Sequence, residues 1–284
     1  MVVDVFYSEN IENDYMALLL NSEIRDRVAK SVRGHVARVG GTMDQLVSYE
    51  NCRVKDINLI DGGFGSVKKI RTVANILSLA KYYMRQEFEY WRTGGASSRD
   101  RKTLILDMHY AYTQSNFFNR FDCLISSNMI EHSPNPIWLL LNFYFFTRVD
   151  GFQYHAIPHY QYTYDCFRKP TRLEHFIKDF ERMIDKSDKS HSEDYIQSAI
   201  VKHGWQKTFH ETHPVAYPYM HYHVFDEDNV RSLFDFMFED VTNDIIKDDR
   251  FSDNVVICRN RLKPSFIKKY ESLIREYQEQ MFKI

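Results

Sequence analysis

Residues 121–158 constrain the fold more than any other part of this chain. The run Phe121–Ser127 is almost continuously apolar, as in a parallel strand that is covered on both faces. Ile137–Phe146 reads as a helix with Pro136 in its first turn, and Gly151–Pro158 reads as the next strand. Strand, helix and strand in this order predict two parallel strands joined by a crossover, and therefore an α/β sheet.

Further short apolar runs extend this sheet. They predict strands at Val54–Ile60, Thr103–Leu106 and Val255–Cys258. Apolar residues at helical spacing from Val67 to Ala80 predict a helix after the first of these strands. The fold class that we predict is α/β, with a doubly wound, mostly parallel sheet.

The segments around the sheet divide the chain. Residues 1–50 are predicted as a helical N-terminal extension and residues 51–284 as the main domain. Residues 159–225 follow the fifth strand as an insertion rich in Tyr, His and Arg, with a charged helix near Thr171–Ile184. Amphipathic helices are predicted at Val230–Phe238 and Ile267–Phe282.

Charge and hydropathy exclude several classes of protein. The chain has 37 basic and 39 acidic side chains, so it has no excess charge to neutralise nucleic-acid phosphates. Its longest apolar run, Ile137–Phe146, is too short to span a bilayer, which needs about 20 residues. The first residues do not look like a signal peptide, and the four cysteines form no CxxC pair. We expect a cytoplasmic protein that binds no nucleic acid.

A glycine motif and an aspartate indicate where a ligand would bind. Asp61-x-Gly63-x-Gly65 follows a predicted strand, and glycines let the backbone approach a ligand closely. Asp107 ends another strand, where ligands of open α/β sheets bind. A plain turn and a helix cap are the alternatives for these two features. Glu87 and Glu89 lie near the spacing of a ribose-binding acid, although their surroundings read as helix.

The motifs from residue 121 onward resemble those of a known family. Asn128-x-Ile130-Glu131-His132-x-x-Asn135-Pro136 comes first, and it is followed by Tyr162-Thr163-Tyr164-Asp165, by Arg168-x-x-Thr171-x-Leu173-Glu174-His175 and by His221-Tyr222-His223-Val224-Phe225. Together they resemble the class I S-adenosylmethionine (SAM)-dependent methyltransferases, in particular the family-11 type of bacterial surface-glycan clusters. The resemblance covers residues 57–236, about two thirds of the chain.

This resemblance implies a fold, a cofactor and a reaction. It implies a Rossmann-like core, SAM as the cofactor, and O-methylation of a small-molecule or glycan acceptor in surface polysaccharide biosynthesis. The residues that would hold the cofactor are Asp61, Gly63, Gly65, Asp107, Ser127 and Asn128.

Methyl transfer to a hydroxyl benefits from a general base, and histidine is the usual one near neutral pH. His132 is the first candidate for this base, with Glu131 to orient it, and His159 is the second. The alternative is that Glu131 and His132 cap the next helix. Candidate acceptor-binding residues are Tyr162, Asp165, Arg168 and His175. Arg168 would pair with an acidic group of the acceptor, or alternatively with Asp165 or Glu174.

Two other functions remain open. His210-x-x-His213 and His221-x-His223, with Asp226 nearby, suit a metal-dependent enzyme if the alternating histidines share one face of a strand. The resemblance accounts for these histidines without a metal, so we assign no metal ligand. Val149-Asp150 stands where the family has Pro-Gly, which suggests a degenerate fold that acts as a scaffold in a glycan-assembly complex. The N-terminal extension and the C-terminal helix are candidate contacts of a homo-oligomer.

Overall fold

The computed structural model describes most of the chain from residue 117 onward and three short segments before it. The described residues are 32–40, 52–59, 104–106, 117–163, 165–185, 188–195, 220–248 and 251–282. The helix predicted from Val67 to Ala80 lies outside these ranges.

The described residues form one seven-stranded sheet. Its strands are β1 (Gly34–Gly40), β2 (Cys52–Leu59), β3 (Leu104–Leu106), β4 (Phe121–Ser127), β5 (Thr147–Pro158), β6 (Thr242–Asp248) and β7 (Phe251–Arg259). They lie in the order β3-β2-β1-β4-β5-β7-β6, and β7 runs in the opposite direction to the other six strands. This is the doubly wound order with one antiparallel strand added between the fifth and the sixth. The predicted fold class, a mostly parallel Rossmann-like α/β sheet, is confirmed.

Strand β1 corrects the predicted helical extension of residues 1–50. The segment Gly34–Gly40 lies in the middle of the sheet, parallel to both β2 and β4. Val36, Ala37 and Val39 are fully buried, because a central strand is covered on both faces. The Arg-Val-Ala alternation that suggested a helix is therefore the pattern of a short strand. Gly40 ends it with a φ of +83°.

Six helices are described, and they are α1 (Pro136–Phe146), α2 (Leu173–Glu181), α3 (Ser190–Tyr195), α4 (Glu227–Met237), α5 (Pro264–Lys269) and α6 (Glu271–Phe282). The single C-terminal helix that we predicted is two helices, which are separated at Tyr270, where the backbone leaves the helical region. The antiparallel pair β6–β7 replaces the one late strand predicted from sequence, because the polar start of β6 gave no apolar run. No helix in the described ranges has the length and apolarity needed to cross a membrane.

Helix α1 forms the centre of the core. All of its residues except Tyr144 are buried, so it is apolar on every side rather than amphipathic. Its outer side is covered by α6, where the Tyr277 ring stacks on Phe145 at a centroid distance of 4.8 Å. The one polar residue inside, Asn142, donates to the Trp138 carbonyl at 2.8 Å and accepts from the Tyr277 hydroxyl. Both ends of this buried amide are therefore satisfied.

A chain of buried polar side chains joins β7, β5 and β4. The Asn260 amide nitrogen donates to the carbonyls of Tyr144, Thr147 and Arg148, so its oxygen is left to accept from Gln153.

The Gln153 oxygen then accepts from His155 Nε2 at 3.0 Å, and His155 Nδ1 accepts from the Ser126 hydroxyl at 2.7 Å. Full burial lowers the pKa of His155 to about 3, so the ring stays neutral.

The Val149-Asp150 pair lies far from the end of the sheet where ligands bind. It belongs to the start of β5, whereas the carboxyl ends of the parallel strands are at the other edge. Asp150 has a φ of 61° and pairs with Arg261, with a distance of 2.8 Å from Arg261 Nε to the carboxylate. The departure from Pro-Gly is thus accommodated by a left-handed backbone position within the strand, which an aspartate can adopt.

Candidate active site

The chain reverses its direction of winding between β1 and β4, and their carboxyl ends therefore mark the expected ligand crevice. Gly40 and Ser127 are paired in register at this edge. A Cβ on Gly40 would lie 2.5 Å from the Ser127 carbonyl oxygen and 2.3 Å from Met129 Cγ, so no other residue fits there without displacement. Asn128 follows with a φ of 51° and donates its N–H to the Ala156 carbonyl at 3.1 Å.

The predicted cofactor residues fall into two groups. Ser127 and Asn128 lie at the tip of β4, at this edge of the sheet. The others, Asp61, Gly63, Gly65 and Asp107, lie outside the described residues.

The interpretation of the glycine motif as the opening of the nucleotide-binding unit required the strand before it to be the first strand of the sheet. The structure shows that it is the second. It is β2, which ends at Leu59, while the first strand is β1 with its own glycine pair, Gly40-Gly41.

Glu131 and His132 lie on the loop that follows β4. Helix α1 is capped by Asn135, whose side chain accepts from Trp138 N at 3.0 Å, so Glu131 and His132 are not its caps. His132 Nδ1 lies 3.1 Å from the Met220 carbonyl, which can only accept, so Nδ1 carries the proton and Nε2 is unprotonated. Nε2 lies 3.8 Å from the buried Glu131 carboxylate. Burial, with the nearby His221 ring, lowers the pKa of His132 to about 3.

A second histidine, which the sequence interpretation considered only for a metal site and as part of a family motif, faces His132. The ring of His221 lies 4.8 Å from that of His132, edge to face. Its Nδ1 is hydrogen-bonded to the Asp165 carboxylate. Burial by itself would raise the pKa of Asp165, but His221 and Arg168 hold that pKa below its ordinary value. A buried carboxylate on Nδ1 is the arrangement that orients an imidazole and stabilises its protonated form.

Arg168 is buried and links several parts of the site. Its guanidinium is paired with Asp165 at 2.8 Å and with Asp194 at 2.7 Å, and it also donates to the backbone carbonyls of His221 and Tyr222. Of the predicted alternatives, the structure therefore shows pairing with Asp165, and Asp194 takes the place suggested for Glu174. These contacts hold the segment that carries His221 in position.

Two other predicted residues lie beyond the carboxyl end of β5. His159 caps a 3-10 turn at Tyr160–Tyr162, and its Nδ1 accepts from Gln161 N at 3.3 Å. The His159 ring lies 6.2 Å from that of Tyr162. Both side chains are partly exposed and follow the same edge of the sheet as Ser127.

His175 belongs to a separate group, here called the outer histidine cluster, which consists of His175, Asp179, His191 and His223. The Nε2 atoms of the three histidines lie 3.1, 3.2 and 3.0 Å from the same oxygen, Asp179 Oδ2. Burial lowers the pKa of His223 to about 4. Burial alone would raise the pKa of Asp179, yet contact with the three imidazoles lowers it.

The predicted pairing of His221 with His223 on one strand face is wrong. Residues 220–226 are not a strand, and the two imidazoles face different carboxylates, those of Asp165 and Asp179. Asp226 is the N-cap of α4, where it accepts from Asn229 N. His210 and His213 lie outside the described residues. The i, i+4 spacing of His175 and Asp179 on the predicted charged helix was the one available sequence signal for the actual cluster.

No protein-family model matches this chain, and no curated protein matches it. Solved structures with a similar fold include SAM-dependent methyltransferases. The trans-methyltransferase CalH in complex with SAH is 14% identical, with a TM-score of 0.45, and the match covers 89% of this chain and 60% of that one. The CurJ carbon methyltransferase is 12% identical, with a TM-score of 0.44, and the match covers 90% of this chain and 56% of that one. A SAM-dependent methyltransferase from Methanosarcina mazei is 11% identical, with a TM-score of 0.40, and the match covers 85% of this chain and 99% of that one.

At these identities the likeness concerns the fold alone. This chain spans 56%, 52% and 60% of the lengths of the CurJ, DszA and CalH chains that it matches.

Proposed function

We propose that this chain is a SAM-dependent methyltransferase of class I that O-methylates a saccharide or glycan precursor. The observation that carries the proposal is the sheet itself. Its winding reverses between β1 and β4. At the carboxyl ends of these strands, Gly40 lies where only a glycine fits, beside the polar residues Ser127 and Asn128 at the tip of β4. The segment with the family's motifs, residues 121–175, supplies β4, its tip and the residues that follow β5.

The corrected strand order suggests a new assignment of the cofactor residues. Gly40-Gly41 follows the first strand, where a nucleotide-type cofactor needs close backbone approach. Asp61 follows the second strand, about 20 residues later, which is the position of the acid that binds the ribose hydroxyls in dinucleotide-binding folds. Gly63 and Gly65 then follow the second strand in sequence rather than the first. Asp107 after β3 stays a candidate for the adenine end, and the tip of β4 completes the crevice.

When bound, SAM would supply a methyl group on a positively charged sulfur. The contribution of the protein would be to orient the acceptor hydroxyl and to take up its proton. We assign the proton to the imidazole pair of His132 and His221. His132 presents an unprotonated Nε2, and Asp165 orients the His221 ring through its Nδ1. Glu131 borders this pair, and His159 and Tyr162 would line the acceptor side.

The insertion of residues 159–225 would cover the acceptor. Its described parts support this role because Arg168 joins residues 221–222 to the turn at Asp165, beside His132. The scaffold alternative loses its motivation, since Val149-Asp150 lies at the opposite edge of the sheet from the proposed crevice.

Calorimetric titration of SAM and its demethylated product into the purified full chain tests the proposal. We expect saturable binding of both. Asp61→Ala should weaken binding by about 10- to 100-fold, because a charged acceptor of ribose hydrogen bonds contributes about 1.5–3 kcal/mol. Asp150→Asn, which changes an aspartate at the opposite edge, should leave the dissociation constant unchanged within about twofold. Absence of binding by folded wild-type protein would favour the scaffold function.

A further inference from the structure

The outer histidine cluster brings four metal-binding atoms to one point. The Nε2 atoms of His175, His191 and His223 surround Asp179 Oδ2 at 3.0–3.2 Å, and those of His175 and His191 are 3.1 Å from each other. The side chains of Asp179, His191 and His223 are buried, whereas that of His175 is 47% exposed. The four residues come from α2, α3 and the segment before α4.

Protons alone do not satisfy these contacts. His223 Nδ1 lies 3.0 Å from the Ser133 carbonyl, which only accepts, so a neutral His223 directs the lone pair of Nε2 towards Asp179. The Nε2 atoms of His175 and His191 can each donate to Asp179 Oδ2, but the two N–H groups would then crowd each other at an N···N distance of 3.1 Å. A nitrogen lone pair and a carboxylate oxygen therefore face each other at 3.0 Å between two further imidazoles, an arrangement that a bound cation would make favourable.

We propose that the outer histidine cluster is a structural zinc site with the ligands His175, Asp179, His191 and His223. Four ligand atoms at about 2.0–2.1 Å from a tetrahedral Zn²⁺ are about 3.3 Å apart. Four of the six separations in this cluster are 3.0–3.2 Å, and all six are within 4.8 Å. Imidazole ligands favour zinc over magnesium or calcium, which prefer sets of oxygen ligands. The contact of His223 Nδ1 with a backbone carbonyl fixes the tautomer that leaves Nε2 for the metal.

Four protein ligands close the coordination sphere, so the ion would stabilise the structure rather than react. It would join α2 and α3 to the segment at His223, and through the Ser133 carbonyl to the loop that carries Glu131 and His132. The site is independent of the proposed methyl transfer, because no SAM contact is needed to form it. Zinc binding can therefore hold or fail separately from cofactor binding.

Elemental analysis of the full chain, purified with zinc in the medium and without chelators, tests the site. We expect about one zinc ion per chain. Replacement with Co²⁺ should give the intense visible absorption of a four-coordinate ion. Chelation should lower the melting temperature, and Zn²⁺ but not Mg²⁺ should restore it.

Variants locate the ion. Asp179→Asn should abolish stoichiometric zinc. His175→Gln changes an exposed ligand with little risk to folding and should weaken zinc binding by at least about tenfold. His132→Gln, in the neighbouring group of Glu131, His132 and His221, should retain one zinc ion. Folded wild-type protein that takes up neither Zn²⁺ nor Co²⁺ would overturn the proposal. Zinc retained by His175→Gln at wild-type affinity, or lost from His132→Gln, would also overturn it.

Discussion

Replacement of Asp165 by alanine is expected to lower the free energy of unfolding by about 3–5 kcal/mol. Asp165 is a buried partner of the Arg168 guanidinium and of the His221 ring, and both would keep their burial without its charge. Arg168 cannot lose its proton, so its buried cation would be only partly compensated. Urea denaturation monitored by circular dichroism measures the change.

Asp194→Ala is the matched control for this prediction. It removes a carboxylate from the same guanidinium, at 2.7 Å, but the Asp194 side chain is 60% exposed. Water would replace that partner, and the expected loss is at most about 1 kcal/mol. Equal losses for the two variants would contradict the distinction between a buried and an exposed ion pair at Arg168.

Acidification is expected to destabilise the protein through His155. Its pKa is about 3 in the fold, against an ordinary value of 6.5, so the unfolded chain binds the proton first as the pH falls. Stability from this group is complete above pH 6.5 and declines between pH 6.5 and 3. At about 1.4 kcal/mol per pH unit, the loss over this window totals about 4–5 kcal/mol. Denaturation at a series of pH values measures the slope, to which His132 contributes in the same direction.

The His155→Gln variant separates this residue from the other titrating groups. It keeps a hydrogen-bonding side chain in the buried polar chain of Ser126, Gln153 and Asn260 but has no titrating nitrogen. Its slope below pH 6.5 should be smaller than that of the wild type by about 1.4 kcal/mol per pH unit. His159→Gln, which changes a partly exposed histidine, should keep the wild-type slope. An unchanged slope in His155→Gln would show that His155 does not remain neutral in the fold.

The parts of the fold that could be predicted from sequence are those with strong local signals. β4 was predicted with its observed ends, and α1 to within one residue, because an unbroken apolar run and a proline mark them. β1 was not recognised, because its residues have both strand and helix tendencies and only its central position decides between them. Because β1 was not recognised, β2 was counted as the first strand. Asp61 after it was therefore assigned to the glycine motif and was not considered as the acid that binds the ribose.

The candidate site was predictable only where residues are close in sequence. Ser127 ends β4, and Asn128, Glu131 and His132 follow it closely, so their shared location could be inferred. Asp165 and His221 are far apart in sequence, and so are Asp179 and His223, and no local pattern pairs a carboxylate with a particular distant histidine. The alternation of His221 and His223 predicted one shared face. The irregular backbone there lets each ring turn to a different carboxylate.

The position of β7 has a consequence for how the chain is made. This strand lies between β5 and β6 but is the last of the three to leave the ribosome. Until Phe251–Arg259 has emerged, the outer backbone groups of β5 lack their partner, and β6 has no neighbour in the sheet. An unpaired edge of this kind promotes aggregation. Nascent chains that stall between β6 and β7 are therefore expected to aggregate, and premature termination there should give insoluble product.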